Sequence, residues 1–462
     1  MNTIRTDWTR VLLLAFAPVG AEFAQTSAAA KADFAVVEDA VGAALDKIRA
    51  ILVTTGLSAA TEETRDFLCP DCRGPMGVWK HKTRTVVTAQ GPGTYPGVRY
   101  RCNVCQTDHY PIERANGLDF DRFTTGAKAV IAAAAADMPF AHVAEALIEA
   151  RAIRVSPKEV DRTSREVAQW REDEEIALIS AAKGGVECLA SQPDLYPSDG
   201  WEANTPAMIT VDGGMLRSTE KGPKGLLWFE CRAGMIAPAD HSRTGRKAYI
   251  AGDLSPDGIF EQMLAAWFRA GHANRDSLFY GDGALWIWPR VRKYFPHARP
   301  VLDIYHAGEY VASAAKAIWG ERSPMAKQWE LHARDMLIEE GGPRALLWLL
   351  ASIMRAGKAV APEQLRKDFH YLYTNRHRMP YAELLAKGLA IGSGQMESGI
   401  KQMCTSRLRR SGMKWTRNGA HGVLELRCAK LSGTLTETTR RVHQSLQGSL
   451  KDYEPKPLRL AA

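Results

Sequence analysis

The chain has 462 residues, 45% hydrophobic and 24% charged. That length allows two or three domains, and the composition excludes large-scale disorder. Lys and Arg number 60 against 52 Asp and Glu, a net charge of +8, whose sign favours a polyanion over a basic partner but also suits a slightly basic soluble enzyme.

Residues 5–21, RTDWTRVLLLAFAPVGA, place positive charge before an apolar run, like a weak secretory signal. The run is short and contains Pro18, so it reads as a helical or irregular tail rather than a membrane span. From 33 to 55, Phe34, Val37, Val41, Ala44, Ile48 and Leu52 recur at helical steps and predict one long helix.

Four of the eight cysteines form two Cys-x-x-Cys pairs, Cys69/Cys72 and Cys102/Cys105. Between them, TRTVVTAQGPGTYPGVRYRC is two β-rich runs around a Gly/Pro turn, a hairpin. Two knuckles on a hairpin make a zinc ribbon, each supplying two soft ligands to one tetrahedral Zn²⁺. Four cysteines leave no open position, so this zinc is structural. Cys188, Cys231, Cys404 and Cys428 are scattered and do not suggest a disulfide framework.

Residues 124–170 predict three helices separated by MP and VSP. Ser156, Pro157 and Glu159 form a capping-box start to the third, which exposes Lys158, Arg162 and Arg165. This pattern fits a helix-turn-helix or a plain helical bundle. A linker rich in Pro, Ser, Asp and Gly follows at 191–206.

A new domain opens with AMITVDGG, where Asp212 follows an apolar, β-prone run. GLLWFECRAGMIA gives one or two more strands, and 257–271 has helical spacing. SLFYGD leads to Asp282 between two glycines, and RPVLDIYH to Asp303 and His306. Strands and helices in this order indicate an α/β domain. Carboxylates at strand ends beside glycines suit a hard divalent cation, although any single Asp-Gly is more often a turn. Residues 307–390 read as helical. Then Glu397 follows a Gly-Ser-Gly turn, and a basic run carries Arg407, Arg409, Arg410, Lys414 and Arg417. Carboxylates next to such a run suit a metal site beside a phosphate backbone.

The blocks GDGALWIWPRVRKYFPHARPVLDIYHAGEY and GSGQMESGIKQMCTSRLRRSGMKWTRNGAHGVLELR resemble the signature blocks of Kra-type bacterial insertion-sequence transposases, in the mutator-like branch of DDE transposases. The resemblance implies an α/β RNase H-like catalytic domain with a helical insertion. It implies catalytic Asp212, Asp282 and Glu397 holding two Mg²⁺ (or Mn²⁺) ions, with Asp303 and His306 positioning DNA or the scissile phosphate. The basic residues of 407–417, and Lys158, Arg162 and Arg165, would contact DNA. The ribbon and helical region would recognise terminal inverted repeats, with double-stranded target DNA as second partner. A homo-oligomer on DNA, a cytoplasmic and nucleoid-associated location and no membrane partner complete the expectation.

The domains expected are an N-terminal tail and helix (1–60), zinc ribbon (61–115), helix-turn-helix-like region (116–190), first part of the catalytic core (205–306), helical insertion (307–390), Glu-bearing basic part (391–435) and tail (436–462). An RNase H-like nuclease without strand transfer would use the same triad. A non-enzymatic zinc-ribbon regulator would leave the carboxylates apart, whereas a two-metal site needs them within roughly 4–8 Å. Elemental analysis of the reduced protein should give about one zinc per chain, lost when Cys69 and Cys102 are both replaced by Ser; metal-free wild type would contradict the ribbon.

Overall fold

The computed structural model describes residues 7–31, 33–61, 66–118, 121–184, 204–222, 225, 227–240, 245–269, 275–355 and 363–453. Most of the expected 191–206 linker lies outside them. The chain divides into two units, residues 1–170 with 435–462, and 171–434.

The first unit begins with helices α1 (Trp8–Ala29) and α2 (Phe34–Thr61), which pack together. Asp7 caps α1 by accepting the Arg10 N–H at 3.1 Å. Alanines 24, 28 and 29 carry α1 past the apolar run, giving 22 residues long and apolar enough to cross a membrane by length and composition; the run alone looked too short.

Strands β1 (Met76–Thr88) and β2 (Gly91–Cys102) pair along their whole length, and the short β3 (Asp108–His109) joins β2. The hairpin starts earlier than the sequence suggested. Its turn needs Gly91, whose φ of +113° suits glycine. After α3 (Pro111–Ala115) come α4 (Thr125–Ala135), α5 (Phe140–Arg151) and α6 (Pro157–Gly184), whose residues from Arg171 on are counted with the second unit. Helices α4, α5 and the start of α6 close on Phe123, Ile131, Val143, Leu147 and Val160, all buried. The Ser156 capping box forms in full: the Glu159 N–H donates to Ser156 Oγ at 3.2 Å, and the Ser156 N–H to Glu159 Oε2 at 2.9 Å.

The second unit holds a five-stranded sheet of β4 (Ala207–Arg217), β5 (Trp228–Pro238), β6 (Ala248–Gly252), β7 (Ser277–Gly281) and β8 (Arg299–Leu302). Its spatial order is β6-β5-β4-β7-β8. The first three strands are antiparallel; β7 and β8 run parallel to β4. Helices α7 (Pro256–Arg269) and α8 (Ile287–Tyr294) flank β7 in sequence. After β8 come α9 (Ile304–Trp319), α10 (Pro324–Arg355), α11 (Glu363–Asn375) and α12 (Tyr381–Ala386). Helix α10 breaks at Gly341, φ +77°, just before Pro343. Helix α13 (Gly394–Ile400) carries Glu397 and continues through a π-helical turn, Lys401–Thr405. Helix α14 (Arg417–Leu431) ends this unit.

The segment expected as a tail folds into the first unit. Helix α15 (Leu435–Gly448) packs on α3 and α4. Tyr453 lies buried beside Phe67 and Tyr100 under the cysteines.

Candidate functional site: a cysteine cluster and a carboxylate cleft

The two knuckles have matching backbone geometry. In the first, the Arg73 N–H donates to the Cys69 carbonyl at 2.8 Å; in the second, the Gln106 N–H donates to the Cys102 carbonyl at 3.1 Å. Each donor residue has a left-handed φ, +61° and +60°, which closes the tight turn. The N–H groups of Val104 and Cys105 point at Cys102 Sγ, at 3.4 and 3.5 Å.

All four sulfurs lie within 4.8 Å of one another. Cys69 and Cys105 are 3.6 Å apart, Cys72 and Cys102 3.4 Å. Tetrahedral zinc with bonds of about 2.3 Å spaces its sulfurs by about 3.8 Å, so the cluster could hold one zinc ion. The Thr107 hydroxyl, 2.9 Å from Cys105 Sγ, holds that thiol below its usual value, toward the thiolate a metal needs. His109 Nε2 stands 3.5 Å from Cys69 Sγ and 3.1 Å from Thr107 Oγ1, so His109 braces the cluster from outside.

In the second unit the fold brings Asp212 and Asp282 to one cleft. The β4–β7 ladder pairs Thr210 with Tyr280, and the two aspartates follow two residues later on each chain. Asp282 lies just beyond β7, but Asp212 does not end a strand as the sequence suggested. There β4 runs on to Arg217 in a long hairpin with β5, because antiparallel pairing with 228–238 carries the strand through both glycines. The cleft is about 220 Å³ and is lined by Asp212, Gly213, Glu230, Asp282, Trp286 and Ile287, among others.

Each aspartate is anchored by its own backbone: the Gly213 N–H donates to Asp212 Oδ1 at 2.6 Å, and the Ala284 N–H to Asp282 Oδ1 at 2.8 Å. Burial pushes the Asp212 carboxyl up, and the charges of Asp282 and Asp303 add to this against the Gly213 N–H and His306. Two carboxylates competing for one cleft form an oxygen donor set suited to a hard divalent cation.

The glycine after Asp282 has a specific cause. Gly283 has φ +83°, and a Cβ there would lie 2.6 Å from the Tyr371 hydroxyl oxygen. Tyr371, on α11, donates its hydroxyl to the Asp282 carbonyl. It stacks on Tyr310 of α9, ring centroids 3.5 Å apart. The helices after β8 thus grip the backbone of the Asp282 loop. Trp288 is buried under β7 and Trp286 faces the cleft.

Asp303 directly follows β8 and is buried. It caps α9 by accepting the Tyr305 N–H at 2.7 Å, and it accepts the Ser393 N–H at 2.8 Å and the Ser393 hydroxyl. It therefore ties the turn before α13 to the end of β8. His306 Nδ1 sits 4.0 Å from Asp303 Oδ2.

Glu397 is exposed on the first turn of α13 and is not among the residues lining the cleft. Among the described residues, the groups of three or more such donors within 4.8 Å of one another lie in the cysteine region; the three predicted carboxylates do not form one. Glu230, missed in the sequence, does line the cleft. It sits over Gly213, where a Cβ would come within 2.8 Å of its Oε1, and it pairs with Arg232.

The basic residues divide. Arg409, Arg410 and Lys414 are exposed. Arg417 is exposed but pairs with Asp253 at 2.8 Å. Arg407, expected to meet phosphate, is instead 1% exposed, its guanidinium over the Trp415 ring at 5.1 Å. Packing under Trp415 removes it from the surface. On α6, Lys158 is exposed, Arg162 makes a two-pronged contact with Asp121 at 2.9 and 3.1 Å, and Arg165 pairs with Asp161 at 2.8 Å.

No protein-family model matches the chain, and no curated protein matches it. A solved structure similar to it is the Drosophila P element transposase strand transfer complex, at 11% identity and a TM-score of 0.25, covering 72% of this chain and 83% of that one. A score that low carries no argument about fold or mechanism.

The raised value of Asp212 fixes a sign. Its folded carboxyl holds a proton to higher pH than the unfolded one, so its stabilising contribution is whole below the unfolded range, near pH 4. It is lost as pH rises through the folded value. With divalent ions chelated, Asp212→Asn should therefore melt above wild type at neutral pH. A few degrees is the shift that about 1 kcal/mol gives in a domain this large. The gap should narrow toward pH 4. A variant that melts lower than wild type at pH 7 would contradict this.

Proposed function

We propose that the chain is a DNA transposase of the mutator-like DDE type, cutting transposon ends and joining them to target DNA. The observation that carries this reading is the placement of Asp212 on β4 and Asp282 just beyond the neighbouring parallel strand β7, both lining one cleft. The strand order supports an RNase H-like core: three antiparallel strands, then two parallel ones, with helices interposed before the Glu397 helix.

In this reading Asp212, Asp282 and Glu397 hold Mg²⁺ or Mn²⁺. Bound there, such ions would supply Lewis-acid activation of a water or a 3′-hydroxyl and charge stabilisation at the leaving oxygen. The protein's own part is positioning. Tyr371 and Gly283 set the Asp282 loop, and Asp303 sets the turn from which α13 departs. Glu397, not Glu230, is the third ligand proposed. Glu230 is already neutralised by Arg232, whereas Glu397 is exposed, with no hydrogen bond or ion pair from its carboxylate among the described residues. Arg409, Arg410 and Lys414 lie exposed beyond the π-helical turn and would neutralise phosphates. The cysteine cluster with one zinc, and helices α4–α6 as a helix-turn-helix-like reader, would recognise the terminal repeats. An RNase H-like nuclease would share the cleft and differ only in lacking strand transfer.

The test is cleavage and strand transfer on the inverted repeats flanking the gene, with Mg²⁺. Wild type should yield nicked ends and joined products. Asp282→Ala and Glu397→Gln should yield neither, and Glu230→Gln should retain both. Equal products from wild type and Asp282→Ala would refute the assignment; cleavage without joining would select the nuclease.

A further inference from the structure

The β1–β2 hairpin carries a second feature, remote in sequence from the carboxylates. A groove of about 260 Å³ runs along it, lined by Lys80, Lys82, Arg84, Arg99 and Tyr110. Lys80, Lys82 and Arg84 alternate along β1, so their side chains share one face over about 13 Å. Lys80 stands directly opposite Arg99, and Lys82 opposite Gly97. A Cβ at Gly97 would come within 2.7 Å of Arg84 and 2.8 Å of Glu113, so the glycine keeps the floor open.

Like charges facing each other across a ladder cost folding stability. The hairpin offsets only part of this charge. Asp108 pairs with Arg99 and Arg101, and the buried Glu113 with Arg84 at 3.4 Å. Lys80 and Lys82 have no hydrogen bond or ion pair among the described residues and are exposed. Two arginine–aromatic pairs bracket the groove. The register shift between Val78 and Lys80 leaves Trp79 57% exposed, with the Arg101 guanidinium 4.1 Å from its ring. At the other end Arg84 lies 5.6 Å from the Tyr110 ring.

We propose that this groove binds the sugar–phosphate backbone of one nucleic-acid strand. Cations in a row neutralise successive phosphates, and exposed rings at the ends offer faces on which bases or sugars stack. A membrane headgroup layer fits less well, because a lipid-facing surface needs a broad apolar face, and here the groove itself is lined mainly by Lys80, Lys82, Arg84, Arg99 and Glu113. The site is independent of the carboxylate cleft and stands or falls without it.

The experiment is fluorescence anisotropy with the zinc-loaded full-length chain and a fluorescein-labelled single-stranded oligonucleotide, over a range of NaCl concentrations. Each phosphate contact on a single strand contributes about 0.7 to the salt slope. The double variant Lys80→Ala/Lys82→Ala should bind more weakly, with the slope reduced by about 1.4. Its zinc content should match wild type and its melting temperature should not fall, since both side chains are exposed and removing Lys80 relieves its opposition to Arg99. Lys327→Ala, an exposed lysine of the second unit, should keep the wild-type slope. An unchanged slope and affinity in the double variant would overturn the proposal. So would binding to phosphatidylserine vesicles without binding to the oligonucleotide.

Discussion

The second unit is organised around two carboxylates that the sheet forces together. Parallel pairing of β4 with β7 sets the register Thr210↔Tyr280, and that register delivers Asp212 and Asp282 side by side. Burial first, and then the charges of Asp282 and Asp303, hold the Asp212 carboxyl above its usual value. Much of the surrounding structure serves to hold the arrangement. Gly283 takes a left-handed φ that most side chains avoid, Tyr371 occupies the space a Cβ would need, and Tyr310 backs Tyr371. Charge concentrated in one cleft, with packing around it to hold the loop, marks a functional site more often than a structural one.

Asp303 extends the same logic to a second element. A buried carboxylate is tolerated when its oxygens are satisfied. Here the Tyr305 and Ser393 N–H groups and the Ser393 hydroxyl do so. The result is a fixed joint between the end of β8 and the turn before α13. Asp303 and Ser393 are 90 residues apart in sequence, yet the joint keeps the Glu397 helix registered to the sheet. The role of Asp303 is thus to position α13, which explains why LDIYH and GSGQMES belong to one structural unit.

Parts of this were legible in the sequence. Gly-Asp-Gly after SLFY announces a strand followed by a turn, and the paired Cys-x-x-Cys spacing announces the cysteine cluster. The capping box at Ser156 is a purely local signal and reads correctly. Other parts were closed to sequence reasoning because they depend on register. Glu230 meets Asp212's neighbour Gly213 only across the β4–β5 hairpin, and no local pattern gives that pairing. Tyr371 reaches Asp282 from 89 residues away. Arg407 looked like one more member of a basic run, because charge patterning does not reveal that Trp415 folds over it. The strand AYIAG is short and buried throughout, so it lacks the alternation that exposes a half-buried strand. Helix α15, LTETTRRVHQSLQG, is polar enough to pass for a tail, and only its packing on α3 and α4 makes it part of a core.

The central claim is that the Asp212–Asp282 cleft is a divalent-cation site. Mn²⁺ titration followed by electron paramagnetic resonance tests it most directly, on zinc-loaded protein without DNA. Wild type should bind Mn²⁺ with a signal distinct from the free ion, Asp282→Ala and Asp212→Asn should each lose that binding, and Mg²⁺ should compete it away. Identical Mn²⁺ binding in wild type and Asp282→Ala, or none in wild type at millimolar Mn²⁺, would contradict the account.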